Sequence, residues 1–284
     1  MNLASLFVAS VFAAEGVISP IPDPLPTQAV TTTKPEVSFA QLSVPQVLGL
    51  ATEVPTPTPS NSVPIANTTH KSSYTIAVLG DSMVDTLGPG VPHLARALKI
   101  AFPHAEFTLY NYGVGGTNID YGLERVTSDY QYLGTPVPSL VSRHPDIVVV
   151  ESFGYNPYSF DEGAINKHWL KLAEIVDTVK RRLPGVTIII AATVSPDRAT
   201  FGDGALGLAF SAEDKRKKTD IIKEYLESTV RFAQSQHLPL ADAYHASVNS
   251  PGRYINGGDH IHPSDMGKEL FAQKIIDAMG TLSI

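Results

Sequence analysis

Two regimes of hydrophobic and polar patterning divide the chain near residue 73. Downstream of it, short unbroken apolar runs alternate with longer stretches whose apolar positions recur every three or four residues. The runs at 74–79 (YTIAVL), 107–110, 146–150 (DIVVV), 186–191 (VTIIIA) and 238–241 are mostly β-branched and short. Such runs predict strands buried on both faces, as in a parallel sheet. The periodic stretches at 91–102, 123–132, 163–183, 211–237 and 264–279 predict amphipathic helices. Pro184-Gly185 supplies a stop for the third, Ser211 and Asp214 stand at capping-box spacing for the fourth, and Ser264 caps the last. Strands separated by helices require right-handed crossovers and one mostly parallel sheet covered on both sides. The expected fold is α/β: a three-layer α/β/α sandwich on a five-stranded, flavodoxin-like sheet. In such sheets ligands sit beyond the carboxyl ends of the strands.

Upstream of residue 73 this alternation is lost. Ten of the 22 prolines fall between Pro20 and Pro64, among repeated threonines. Proline fixes φ and removes amide donors, so residues 19–72 read as a disordered Pro/Thr-rich linker; the more apolar island at 37–50 is read as part of it, with docking on the globular part as the alternative. Residues 1–18 contain a dozen mostly apolar positions ending in Val11-Phe12-Ala13-Ala14, the length of a secretion-signal core, yet the first basic residue is Lys34. They are expected to be signal-like or a truncated anchor. An exported chain, secreted or tethered to a membrane through its N-terminus, follows as the expectation for location. The globular domain is expected over 73–284.

Charge and composition narrow the chemistry. A net charge of -7 argues against a nucleic-acid partner, which demands a basic footprint. The chain has no cysteine, which excludes disulfides, thiolate nucleophiles and Cys-ligated metal centres. No apolar run reaches 18 residues, the length that would mark a membrane span.

The chemistry-bearing residues lie in the loops after the strands. Gly80-Asp81-Ser82 follows the first run, Asn111-Tyr112-Gly113-Val114-Gly115-Gly116 the second, and Glu151-Ser152-Phe153-Gly154-Tyr155-Asn156-Pro157 the third. Asp259-His260-Ile261-His262-Pro263 precedes the last helix. Each is a weak signal by itself: a Gly-Asp-Ser is usually a turn, and an acid before a helix usually a cap. In this order, each beyond a strand end, they resemble the SGNH (GDSL-type) serine hydrolase family over roughly residues 74–279. The resemblance implies Ser82 as nucleophile, His262 as general base and Asp259 as its orienter. It also implies an oxyanion hole formed by the Ser82 N–H, the Gly116 N–H and the Asn156 side-chain amide. Those roles are chemically coherent. A serine hydroxyl needs an adjacent base near neutral pH, an imidazole can be that base, and a carboxylate on its far nitrogen fixes the tautomer. The chain departs from the family where Pro157 follows Asn156 in place of the common Asp. The loop from Glu151 to Asn156 also looks one residue long.

The expected activity is hydrolysis of carboxylic esters through an acyl-enzyme, with O-acetyl groups on cell-surface carbohydrate as the favoured substrate and no metal or organic cofactor. Acyl transfer to a sugar and non-catalytic glycan binding on the same fold stand as alternatives. Other features have plainer readings beside functional ones. Asp259, His260 and His262 could together ligate a metal. Phe153, Tyr155 and Tyr158 are either a stacking platform or loop packing. The run Lys215-Arg216-Lys217-Lys218 reads as a solvated helix face, Trp169 as a core contact, and residues 195–207 as a loop flanking the cleft. His93, His104, His144, His168, His237 and His245 read as surface or packing residues.

Overall fold

A computed structural model describes residues 71–158 and 163–281. The expectations for the N-terminal apolar segment and most of the linker therefore lie outside the described residues. Strand β1 (Ser73–Gly80) leads through a short helix α1 (Ser82–Asp85) to α2 (Pro92–Ala101) and β2 (Glu106–Gly113). Helix α3 (Ile119–Thr127) precedes a hairpin of β3 (Tyr130–Tyr132) and β4 (Thr135–Val137), then a single 3₁₀ turn (Leu140–Arg143) and β5 (Ile147–Glu151). Next come α4 (Ala164–Arg182), β6 (Thr187–Ala192), α5 (Ala212–Ser235) and β7 (Leu240–Asp242). The short helices α6 (Ala243–Ser247) and α7 (Pro251–Tyr254) and the terminal α8 (Asp265–Met279) complete the described chain.

The main sheet runs β2-β1-β5-β6-β7, and each neighbouring pair is parallel. That is the doubly wound order with β1 beside β5, and the switch of direction opens a crevice at the carboxyl ends of those strands. The unbroken apolar runs are explained by burial on both faces. Ile76, Val78, Val149 and Ile189 pack toward Leu94 and Leu98 of α2 and Phe271 and Ile275 of α8. Their alternating neighbours Ala77, Leu79, Val148, Val150 and Ile190 pack toward Leu172, Ile175 and Val179 of α4. A strand whose odd and even positions serve two different cores cannot show polar alternation.

One predicted element is wrong. The helix expected at 123–132 occupies Ile119–Thr127, and Tyr130–Tyr132 is a strand. Asn118 starts the helix by accepting the Asp120 N–H at 3.1 Å. The hairpin turns through Leu133 (φ 49°) and Gly134 (φ 77°), two consecutive left-handed residues of the kind a tight two-residue hairpin needs. Leucine is an unusual first residue for such a turn, which hid the hairpin in the sequence. Strand β2 also runs on to Gly113, pairing Asn111, Tyr112 and Gly113 with Val78, Leu79 and Gly80, where a Gly-rich loop was expected to begin. Among the described residues no helix is long and apolar enough to cross a membrane.

Candidate active site

The end of β1 turns abruptly into α1, and three features force the turn. Asp81, fully buried, caps the helix by accepting the Met83 N–H at 2.8 Å. A Cβ on Gly80 would lie 2.4 Å from Val84 Cγ2, and one on Gly113 would lie 2.1 Å from the Asp85 nitrogen. Only glycine lets β1, β2 and α1 approach so closely. Ser82 consequently sits as the first residue of α1 at the carboxyl end of β1, 8% exposed.

The loop after β2 is tied to this turn. Asn111 Nδ2 donates to the carbonyls of Val84 and Gly88, both at 2.9 Å, while its Oδ1 accepts the Gly113 N–H at 2.8 Å. The Val114 N–H reaches the Gly80 carbonyl at 3.3 Å. Gly116 has φ 70°, and the Thr117 hydroxyl closes the turn on the Val114 carbonyl at 2.8 Å. Beside it Asp85 accepts the Tyr132 hydroxyl at 2.6 Å, which brings the unforeseen hairpin to the site. Burial pushes the Asp85 carboxyl up, against the opposing pull of that hydroxyl and of the nearby His262 ring.

In the loop after β5, Phe153 takes a left-handed φ of 52° and buries its ring completely. That ring fills the space over Gly122, where a Cβ would come within 2.3 Å of it. Glu151, also fully buried, accepts the Phe153 N–H at 2.9 Å, the Ser152 hydroxyl and the Asp81 N–H. Burial, reinforced by the nearby Asp81 charge, drives its carboxyl well above the usual range. Beyond Phe153, Asn156 Nδ2 donates to Asp81 Oδ2 at 3.0 Å. Burial raises the Asp81 carboxyl, opposed by that bond and the one from Met83. Asn156 is thus joined to the residue preceding Ser82.

The fourth loop links α7 to α8. Asp259 Oδ1 accepts the N–H groups of Ile261 and His262 at 2.9 and 3.1 Å, and its Oδ2 lies 2.9 Å from His262 Nδ1. Burial alone would raise the Asp259 carboxyl, but the His262 ring and the two N–H groups outweigh it and hold it below its ordinary value. His262 is 3% exposed, and its Nε2 is buried without a hydrogen-bond partner. The ring lies near enough to influence both Asp81 and Asp85, the acids at the two ends of α1. No hydrogen bond joins Nε2 to the Ser82 hydroxyl.

The structure therefore pairs Asp259 with His262 and Asn156 with Asp81, and sets Ser82, Gly116 and Asn156 at the ends of β1, β2 and β5. The three-ligand metal reading loses its geometry. His260 adopts φ 53° and turns Nδ1 to the Asp203 carbonyl at 2.7 Å, and no group of three suitable ligands occurs among the described residues. Phe153 and Tyr155 are core residues, the latter bonded to the Val194 carbonyl at 3.0 Å; Tyr158 is half-buried and bonded to Asp120 at 2.7 Å, so the three form no open platform. The stretch after β6 does flank the His262 loop: Gly202 donates to the His260 carbonyl at 3.4 Å, and Gly204 abuts the Gly258 carbonyl. Trp169 packs edge-on to Phe232. His168, read as packing, is buried with Nε2 2.7 Å from the Ser152 carbonyl.

Sequence reasoning passed over Asp85, Arg125, Tyr132 and Glu151. Arg125 carried a usable signal, since it falls on the inward stripe of α3 with Ile119, Gly122 and Val126, where a charge is out of place. The misplaced helix start concealed that stripe.

Comparison with known proteins agrees with the topology. A family model described as the GDSL-like lipase/acylhydrolase family matches residues 78–270. No curated protein matches the chain. A lipase/acylhydrolase from Enterococcus faecalis is 20% identical and superposes with a TM-score of 0.55, covering 73% of this chain and 96% of its own. An acetylxylan esterase from Geobacillus stearothermophilus is 16% identical, with a TM-score of 0.52 over 73% of this chain and 94% of its own.

Proposed function

Because the chain belongs to the GDSL-like lipase/acylhydrolase family, we propose that this ester hydrolase works as a serine esterase with Ser82, His262 and Asp259 as its triad. The observation that supports this reading is the His262 ring: one nitrogen is anchored on Asp259, the other is buried and unpartnered, and the ring lies near enough to act on Asp81, the residue before Ser82. With its proton on Nδ1, facing Asp259, the imidazole presents a lone pair at Nε2. Rotation of the Ser82 hydroxyl toward Nε2 on substrate binding completes the pair, since catalytic hydrogen bonds in free enzymes are commonly open.

Ser82 Oγ attacks the ester carbonyl carbon and its proton passes to Nε2. The resulting oxyanion is met by the Ser82 and Gly116 N–H groups and by the Asn156 amide hydrogen not engaged with Asp81. The carbon–oxygen bond to the leaving alcohol then breaks as His262 returns the proton to it. Water repeats the sequence on the acyl-enzyme, releasing the acid and restoring Ser82. Each oxyanion donor is worth on the order of 100- to 1000-fold in rate.

The substrate in this reading is a short-chain ester, with O-acetyl groups on carbohydrate the favoured class. Support comes from the polar rim supplied by Asp85 and Tyr132 and from the fold shared with an acetylxylan esterase. The Pro/Thr-rich stretch before the domain suits an exported enzyme held at a distance from a membrane or wall. Aryl acetate, butyrate and long-chain esters assayed with wild type and Ser82→Ala test it. The expected result is preference for acetate and a loss of at least about 1000-fold in the variant. Undiminished turnover by Ser82→Ala contradicts it.

A further inference from the structure

Arg125 is a buried cation that the reaction scheme above leaves without a task. It is 4% exposed, and its guanidinium contacts neutral groups: Nη2 donates to the Gly80 carbonyl at 2.8 Å and Nη1 to the Thr117 hydroxyl at 3.1 Å. Nε has no hydrogen-bond partner, and among the described residues no carboxylate lies within ion-pair distance of the group. Asp81 and Asp85 sense its charge from further off, while their own bonds come from Met83 and Asn156, and from Tyr132 and the Gly115 N–H. Burial lowers its pKa to about 10, which leaves it charged at neutral pH. A guanidinium buried without a direct counter-charge is costly; besides its two hydrogen bonds it has, among the described residues, only the face of the Tyr130 ring, 5.9 Å from the ring centre, to offset that cost.

Its two acceptors show what it holds. The Gly80 carbonyl ends β1 immediately before Asp81 and Ser82. Thr117 immediately follows Gly116, and its hydroxyl passes the connection on to Val114. A rigid planar fork with donors on both sides thus spans the nucleophile turn and the oxyanion loop and holds both acceptors in a fixed geometry, which the flexible, freely rotating ammonium of a lysine would not impose.

We propose that Arg125 is a positioning residue that sets the separation of the Ser82 and Gly116 N–H groups, so that both meet the oxyanion of the transition state. The assignment rests on the serine-esterase reading. It acts through those two peptides and touches no reacting atom. Misplacing one donor by about an ångström is enough to lower the rate on the order of 100-fold.

The test compares wild type, Arg125→Lys, Arg125→Gln and Thr117→Val on an aryl acetate, with kcat and KM separated, together with labelling by a fluorophosphonate and melting temperature. Both Arg125 variants are expected to lose about 10- to 100-fold in kcat with KM changed less than about threefold, and labelling slowed in parallel. Thr117→Val, which removes one acceptor and no charge, is expected to lose kcat in the same direction by a smaller factor. It keeps the inference testable if the arginine variants do not fold. Variants that melt lower yet retain wild-type kcat and labelling rate overturn the inference and leave the esterase reading intact. Wild type that is not labelled at Ser82 overturns both.

Discussion

The carboxamide of Asn156 donates to the carboxylate of Asp81 at 3.0 Å, although the two stand 75 positions apart in the chain. That bond joins the loop after β5 to the residue that caps the Ser82 helix, and it spends one of the two amide hydrogens of Asn156. The other is free for an oxyanion. Asn156→Ala is therefore expected to lower kcat on the order of 100- to 1000-fold with little change in KM. It also deprives a fully buried carboxyl of a donor, so the melting temperature should fall by the equivalent of about 1–3 kcal/mol. Steady-state kinetics and calorimetry on the same preparation check both effects; an unchanged kcat contradicts the assignment.

Replacing Asp259 with Asn removes the acceptor for His262 Nδ1–H and favours the wrong tautomer. A fall in kcat on the order of 1000- to 10,000-fold is expected, with the fold retained. Wild-type activity in Asp259→Asn contradicts the pairing seen at 2.9 Å.

His168 gives a pH dependence of stability. Burial lowers its pKa to about 4, against a bond to the Ser152 carbonyl that favours the charged ring. The folded protein thus holds this histidine neutral while the unfolded chain, with a value near 6.5, takes up a proton first. Below about pH 6.5 the unfolded state binds more protons, so stability falls as pH drops toward 4 and is unaffected above about 7. The contribution amounts to about 2 kcal/mol lost by pH 5. Thermal melts from pH 8 to 5 should slope more steeply for wild type than for His168→Gln; parallel slopes contradict it.

Two glycines separate crowding from backbone conformation. Gly113→Ala forces a methyl to 2.1 Å from the Asp85 nitrogen, a backbone atom that cannot yield without moving α1. It is expected to cost about 3 kcal/mol or more and to abolish activity. Gly134→Ala, at φ 77° with open space around it, is expected to cost only about 1 kcal/mol and to leave activity near wild type. Calorimetry and an ester assay distinguish the two.

The sheet was legible because its strands are buried on both faces and so write themselves as unbroken β-branched runs, as at Ile147–Glu151. The candidate site was legible in its family blocks, three of them following such runs and the fourth preceding the last helix. What stayed hidden depends on contacts distant in sequence. Arg125 looks like an ordinary helix-surface charge until α3 is docked against β1. Glu151 looks like a strand-ending acid until the N–H groups of Asp81 and Phe153 converge on it. The hairpin that delivers Tyr132 to Asp85 turns through a leucine in a left-handed conformation, which local propensity disfavours.

The most direct measurement is peptide mapping of the protein after reaction with a fluorophosphonate, in wild type and in His262→Ala. A single adduct on Ser82 that forms quickly in wild type and at least about 1000-fold more slowly without the imidazole is the expected result. Reaction at another residue, or at Ser82 with a rate indifferent to His262, contradicts the account.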